Sequence, residues 1–192
     1  MGIVQKIMYV HVPLIWVTFL ALFVCFLCSI GYLWKRTELY DVVAYCSGEI
    51  GVIFCGLALL SGAIWGKPTW NTYWTWDARL TTTLILFLIF TGYLLLRKFV
   101  DYGEQQARLS AIVAIIGTLD IPIIHQSVTW WRTLHQPSTM FSTQKNVIDT
   151  PLAIMLWVSV LTFTLIYGYI LSSRINLEQK TRQYLKKIAN MQ

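Results

Sequence analysis

Long apolar stretches alternate with short polar ones along the whole chain. The apolar stretches run over about residues 10–34, 42–65, 80–96, 109–124 and 152–171. A helix needs about 20 apolar residues to cover a hydrocarbon core about 30 Å thick, and these runs meet or approach that length. Because lipid offers no partner to backbone amides, each run predicts a transmembrane helix. The expected fold class is an all-α integral membrane protein with five transmembrane helices and an aromatic-rich outer loop. One domain covers 1–192. Within it a basic tail, 174–192, is expected as an amphipathic cytoplasmic helix lying on the inner lipid surface, or else as a solvated tail. The first run is too long for a signal-peptide core and lacks a small-residue cleavage site, so it reads as an uncleaved anchor.

Composition agrees: 56% of residues are hydrophobic and 12% charged, against roughly 25% charged in ordinary globular chains. The net charge of +6 does not imply nucleic-acid binding, because the basic residues lie in short segments beside the spans rather than in one stripe. Their distribution sets orientation instead. Lys35, Arg36, Arg97, Lys98, Arg108, Arg174, Lys180, Arg182, Lys186 and Lys187 fall on one side by parity. Only Lys6, Lys67, Arg79, Arg132 and Lys145 fall on the other. The richer side belongs in the cytoplasm or matrix, which puts the N-terminus outside and the C-terminus inside.

That parity gathers His11, His125 and His135 at the outer face, together with Trp65, Trp70, Trp74, Trp76, Trp130 and Trp131. The segment Trp65–Arg79 reads WGKPTWNTYWTWDAR, with four Trp and one Tyr in fifteen residues. An interfacial aromatic belt accounts for one or two rings at each helix end, not for a loop built mostly of them. The loop therefore reads as a platform for a large, flat, apolar ligand. Trp70 and Trp74 would share a face if this loop were helical.

Other polar residues have more than one reading. Arg79, Arg132 and Lys67 suit carboxylates of a ligand, or snorkel to the interface. Asp77 could orient Arg79, or cap the third span. Glu49 and Asp120 lie within spans and should face the bundle interior. Pro122 should kink the fourth span, where Asp120 could satisfy a freed backbone group. Cys25, Cys28, Cys46 and Cys55 read as small packing residues. Cys25-x-x-Cys28 is followed by Ser29 rather than His, so it is not a c-type haem attachment motif.

The run WGKPTWNTYWTWDARL, with YVHVP at Tyr9–Pro13, IPIIH at Ile121–His125 and WWRTLHQ at Trp130–Gln136, resembles the haem exporter protein C family of cytochrome c maturation. The resemblance covers most of the chain from His11 to Pro151. It implies haem b bound at the outer face of a bacterial inner membrane, with the mitochondrial inner membrane as the other setting. It implies axial iron ligation by His11 and His135, with Trp70, Trp74, Trp76, Asp77, Arg79, Trp130, Trp131 and Arg132 around the haem. It implies a non-catalytic carrier whose partners are a periplasmic haem chaperone, ABC-type transporter subunits, a small single-span subunit and membrane lipid. Two neutral imidazoles fill both axial positions and block oxygen chemistry, which suits a carrier. His125 is assigned a supporting, hydrogen-bonding role, with ligation as the alternative.

The family usually has a further span before the HVP histidine. Either that helix is absent here or the chain's start lies upstream. Tyr73 stands where a further Trp is common. The competing function is a haem-binding membrane subunit of a quinone or electron-transfer enzyme. A permanent redox haem is usually held between helices inside the bilayer, whereas the histidines here lie at its surface.

Overall fold

The computed structural model describes residues 2–135 and 149–191. Lys145 and Gln136, named above, lie outside the described residues, as does Gln192. The elements are α1 (Gly2–Gln5), α2 (Met8–Lys35), α3 (Glu38–Trp70), α4 (Ala78–Phe99), α5 (Glu104–Thr118), α6 (Asp120–Trp130) and α7 (Thr150–Ala189). No strand occurs among the described residues. Five helical units are long and apolar enough to cross a membrane: α2, α3, α4, α5 with α6 taken together, and α7. The chain is a multi-span membrane protein, as the hydrophobic runs predict. Each helix extends past its apolar run because polar residues at the ends still continue the backbone ladder.

The helices approach closely where side chains are small. A Cβ on Gly51 would meet Leu22 Cδ2 at 2.5 Å, so glycine lets α3 press against α2 there without displacing the Leu22 side chain. Small residues serve this purpose between membrane helices, where close van der Waals contact replaces the hydrophobic drive available in water. One core cluster joins Leu22, Cys25, Ala44, Leu86, Phe90 and Tyr93. A second joins Leu14, Val17, Ile50, Phe54 and Tyr167. Cys25, Cys46 and Cys55 are buried free thiols, and Cys28 is half-buried, in keeping with packing roles. Apolar side chains such as Leu60, Ile64, Val158, Leu161 and Leu165 face outward, as lipid-facing surfaces do.

The fourth span is broken. The α5 helix ends at Thr118 and α6 begins at Asp120, with the Leu119 N–H turned back to the Ile116 carbonyl at 3.1 Å. Pro122 explains the place: it has no N–H for the Thr118 carbonyl, and its ring crowds that carbonyl. Asp120 points inward as expected and is buried, but its Oδ2 has no hydrogen-bond partner among the described residues. Glu49 faces Arg174, 2.7 Å from its Nη2.

The tail is not a separate helix. The forty residues of α7, at 1.5 Å each, reach about 60 Å, roughly twice the hydrocarbon thickness. Nothing between Leu152 and Ala189 breaks the ladder. The basic residues of the extension turn onto the acidic start of α3: Arg182 Nη1 lies 2.8 Å from Asp41 Oδ2, and Lys186 Nζ lies 2.6 Å from Glu38 Oε2. The expected amphipathic helix is thus the continuation of the last span, tied to the bundle by ion pairs.

Candidate functional site at the tryptophan-rich end

The segment from Trp65 to Arg79 is only partly a loop. Trp65 and Trp70 lie in the last turns of α3, which ends because Asn71 adopts a left-handed conformation at φ 60°. Asn is among the few residues that take this conformation at modest cost. Lys67 Nζ closes the turn by donating to the Asn71 carbonyl at 3.0 Å and to Asn71 Oδ1 at 3.3 Å. Residues 71–77 are not helical, so Trp70 and Trp74 do not share a helix face. Trp74 instead meets Trp76 edge to face, with ring centroids 5.7 Å apart. Trp76 is 77% exposed. Trp130 and Trp131 form a second exposed edge-to-face pair, also at 5.7 Å, at the end of α6.

Asp77 caps α4: its Oδ1 accepts from the Leu80 N–H at 2.9 Å. Its Oδ2 accepts from His135 Nδ1 at 3.0 Å and from the Leu134 N–H at 3.2 Å. The sequence offered the cap reading; the tie to His135 crosses 58 residues and has no local signal. Asp77 therefore orients a histidine rather than serving the cap alone. His135 also packs against Trp70, ring centroids 4.7 Å apart and steeply tilted. Thr133 Oγ1 accepts from the His135 N–H at 3.1 Å and tightens the segment.

His11, in the first turn of α2, faces α3. Its Nδ1 is 3.1 Å from Ser61 Oγ, and Ser61 donates its single proton to the Ala58 carbonyl at 3.1 Å. With its proton so placed Ser61 accepts from His11, an arrangement that favours the tautomer with the imidazole proton on Nδ1. The Trp65 ring lies edge-on at 5.6 Å. A Cβ on Gly62 would come within 3.0 Å of His11 Cε1, so Gly62 makes the space for the ring. Neither Ser61 nor Gly62 stands out in the sequence.

Electrostatics link the two histidines. His11, His135 and Arg79 lie near enough for each charge to act on the others. Burial holds the His135 pKa below its ordinary 6.5, although the Asp77 carboxylate pulls the other way. For Asp77, burial raises the pKa, but the Leu80 N–H and His135 outweigh it and the carboxyl stays below its ordinary 3.8. At neutral pH the pair is a carboxylate and a neutral imidazole.

This donor set fits a haem. Each imidazole has its Nδ1 proton engaged, which leaves Nε2 as a neutral lone pair suited to iron. The half-buried indoles of Trp65 and Trp70 lie beside them. The indole Nε1 of Trp74 is buried without a hydrogen-bond partner among the described residues, a group that a ligand's polar edge would satisfy. Arg79 is half-buried beside the histidines, and Arg132 is exposed. His125 is exposed on α6, and its ring meets Phe19 at 5.3 Å. Phe19 lies two turns further along α2 than His11, so this contact belongs to the flank of the bundle.

Comparison with known proteins follows the same lines. A family model described as Heme exporter protein C matches residues 1–190. The chain is 42% identical over 166 residues to a protein of Bradyrhizobium diazoefficiens named Heme exporter protein C, covering 86% of this chain and 63% of that one. It is 38% identical over 135 residues to the protein of that name from Escherichia coli K12, covering 70% and 55%. A mitochondrial protein of Marchantia polymorpha named for cytochrome c biosynthesis is 41% identical over 135 residues, covering 70% and 57%. The chain thus spans 55% to 63% of the length of these curated relatives.

Proposed function

The chain belongs to the heme exporter protein C family, and from that premise we propose that it binds haem b at the outer face of the membrane and presents it to a haem chaperone during cytochrome c maturation. Haem is cargo in this reading, not a resident redox group. The observation that carries the proposal is that His11 and His135 lie near enough to act on each other, each with its Nδ1 engaged, one beside Trp65 and the other beside Trp70. Two imidazoles from different segments grip the iron and exclude oxygen. The indoles take up the porphyrin faces, and Arg79, Arg132 and Lys67 are the cations at this end suited to its propionates.

The outer-face assignment rests on the basic asymmetry of the loops and places the N-terminus outside and the C-terminus in the cytoplasm. The partners in this reading are a periplasmic haem chaperone at the tryptophan surface, ABC-type transporter subunits and a small single-span subunit within the membrane, and lipid around the exposed helix faces. The setting is the bacterial inner membrane or its mitochondrial counterpart.

The test is haem occupancy and the visible spectrum of purified variants. H11A and H135A should each lower occupancy and lose the six-coordinate low-spin form, while H125A should keep both. Loss in H125A alone would overturn the assignment.

A further inference from the structure

Resting on that reading of the site, we propose that Asp77 is a positioning residue that fixes the ring tautomer of His135, and that the two histidines depend unequally on their partners. A neutral imidazole carries one proton, and a carboxylate can only accept one. Asp77 therefore holds the proton on Nδ1 and keeps the Nε2 lone pair open. The carboxylate cannot swing away. The Leu80 N–H holds one oxygen, and the Leu134 N–H shares the other with His135. It is fixed from the α4 side and from the histidine's own segment at once.

His11 is held differently. Ser61 is neutral and can rotate, and its own proton goes to the Ala58 carbonyl. Losing the hydroxyl removes an acceptor but installs no competing donor, so the His11 tautomer survives.

The chemistry of an Asp77→Asn change makes the distinction measurable. An amide keeps one acceptor oxygen, which can still receive the Leu80 N–H and preserve the cap. Its NH2 group then faces two donors, the Leu134 N–H and His135 Nδ1–H. The ring relieves this by moving its proton to Nε2, which blocks the lone pair that iron requires; a carboxylate-to-amide change beside a catalytic histidine acts by the same wrong-tautomer logic. Asp77→Ala removes the cap and the tie altogether but imposes no tautomer. The two substitutions should therefore rank in opposite orders for stability and for haem binding. A merely structural role gives one order for both.

The experiment uses the full chain purified in detergent, with haemin added as the probe. Haem retention against an excess of apomyoglobin and thermal unfolding of the haem-free protein are measured side by side. D77N should unfold between wild type and D77A, yet lose haem at least about tenfold more readily than wild type and more readily than D77A. S61A should stay within a few-fold of wild type. Haem loss in D77A equal to or worse than in D77N overturns the proposal, as does a loss in S61A matching D77N. The ring 15N shifts of His135 in the haem-free wild type give a check that needs no variant: a proton on Nε2 overturns it. If H135A binds haem as wild type does, the reading of the site fails and takes this inference with it. If H135A loses haem while D77N does not, this inference alone fails.

Discussion

Arg97 and Asp41 meet in a two-point ion pair at the end of the bundle opposite the tryptophans, with Nη1 2.7 Å from Oδ1 and Nη2 2.9 Å from Oδ2. Both side chains are nearly enclosed, at 5% and 7% exposure. Arg182 of α7 reaches the same carboxylate at 2.8 Å, so one aspartate ties α3, α4 and α7 together. Removing one partner of a buried pair strands the other's charge, at a cost of about 3–5 kcal/mol. D41A should lower unfolding stability in detergent by that order, and by more than R182A, because it takes the carboxylate from the enclosed Arg97, whereas R182A leaves the Arg97–Asp41 pair intact and Arg182 itself also holds Glu178 at 2.7 Å. Equal effects would show that Asp41 is not the hub.

The space beside His11 is set by Gly62. A Cβ there would sit 3.0 Å from the ring, so the larger side chain of Gly62→Val should push the imidazole out of its place and lower haem retention severalfold. Gly92, where an added Cβ meets nothing within 4 Å, serves as the control: G92A should leave retention unchanged. Equal retention in G62V and wild type would remove His11 from the site.

Acidity should weaken haem binding only below the ordinary histidine range. His135 has a pKa lowered from 6.5 by burial. For a base lowered on folding, the neutral form is favoured in the folded state. Its contribution is fully present above 6.5 and is lost as pH falls through the lower folded value. Because iron needs the neutral ring, haem retention followed against pH should stay flat through 6.5 and fall only at a lower pH, where the buried His135 takes up a proton. An onset well above 6.5 would mean that a different group controls release.

The tryptophan platform predicts graded losses. Aromatic contacts add about 0.5–1.5 kcal/mol each beyond area burial. Single Ala changes at Trp70, Trp74 or Trp76 should thus weaken retention modestly, and the triple change severely, in protein that still inserts correctly. An interfacial belt would instead alter insertion and leave haem affinity intact, so unchanged retention in the triple variant would exclude the platform.

Orientation has its own test. Alkaline phosphatase fused after α7 should be inactive in cells, and fused within the segment between α6 and α7 it should be active outside the cytoplasm. The reverse pattern would sink the N-out assignment and move the proposed haem site to the other face.

By itself the sequence determined the number of spans and the end of the molecule where chemistry gathers. Helices in lipid must satisfy their backbones locally, so an apolar run and its flanking charges almost suffice to place each one. The histidines and tryptophans were legible for the same reason, since parity alone brings loops of one side together. Tertiary structure decided the rest. Asn71 ended α3 inside the tryptophan-rich motif, which separated Trp70 from Trp74 and gave Trp70 to His135. The basic tail turned onto Glu38 and Asp41, because its charges found partners only once α7 lay antiparallel to α3. The hydrogen bonds that set each imidazole, Ser61 to His11 and Asp77 to His135, cross 50 and 58 residues. No periodicity or local motif encodes a contact between side chains so far apart along the chain. Such contacts exist only after the helices have packed, and they are what turn histidines at a membrane surface into oriented donors.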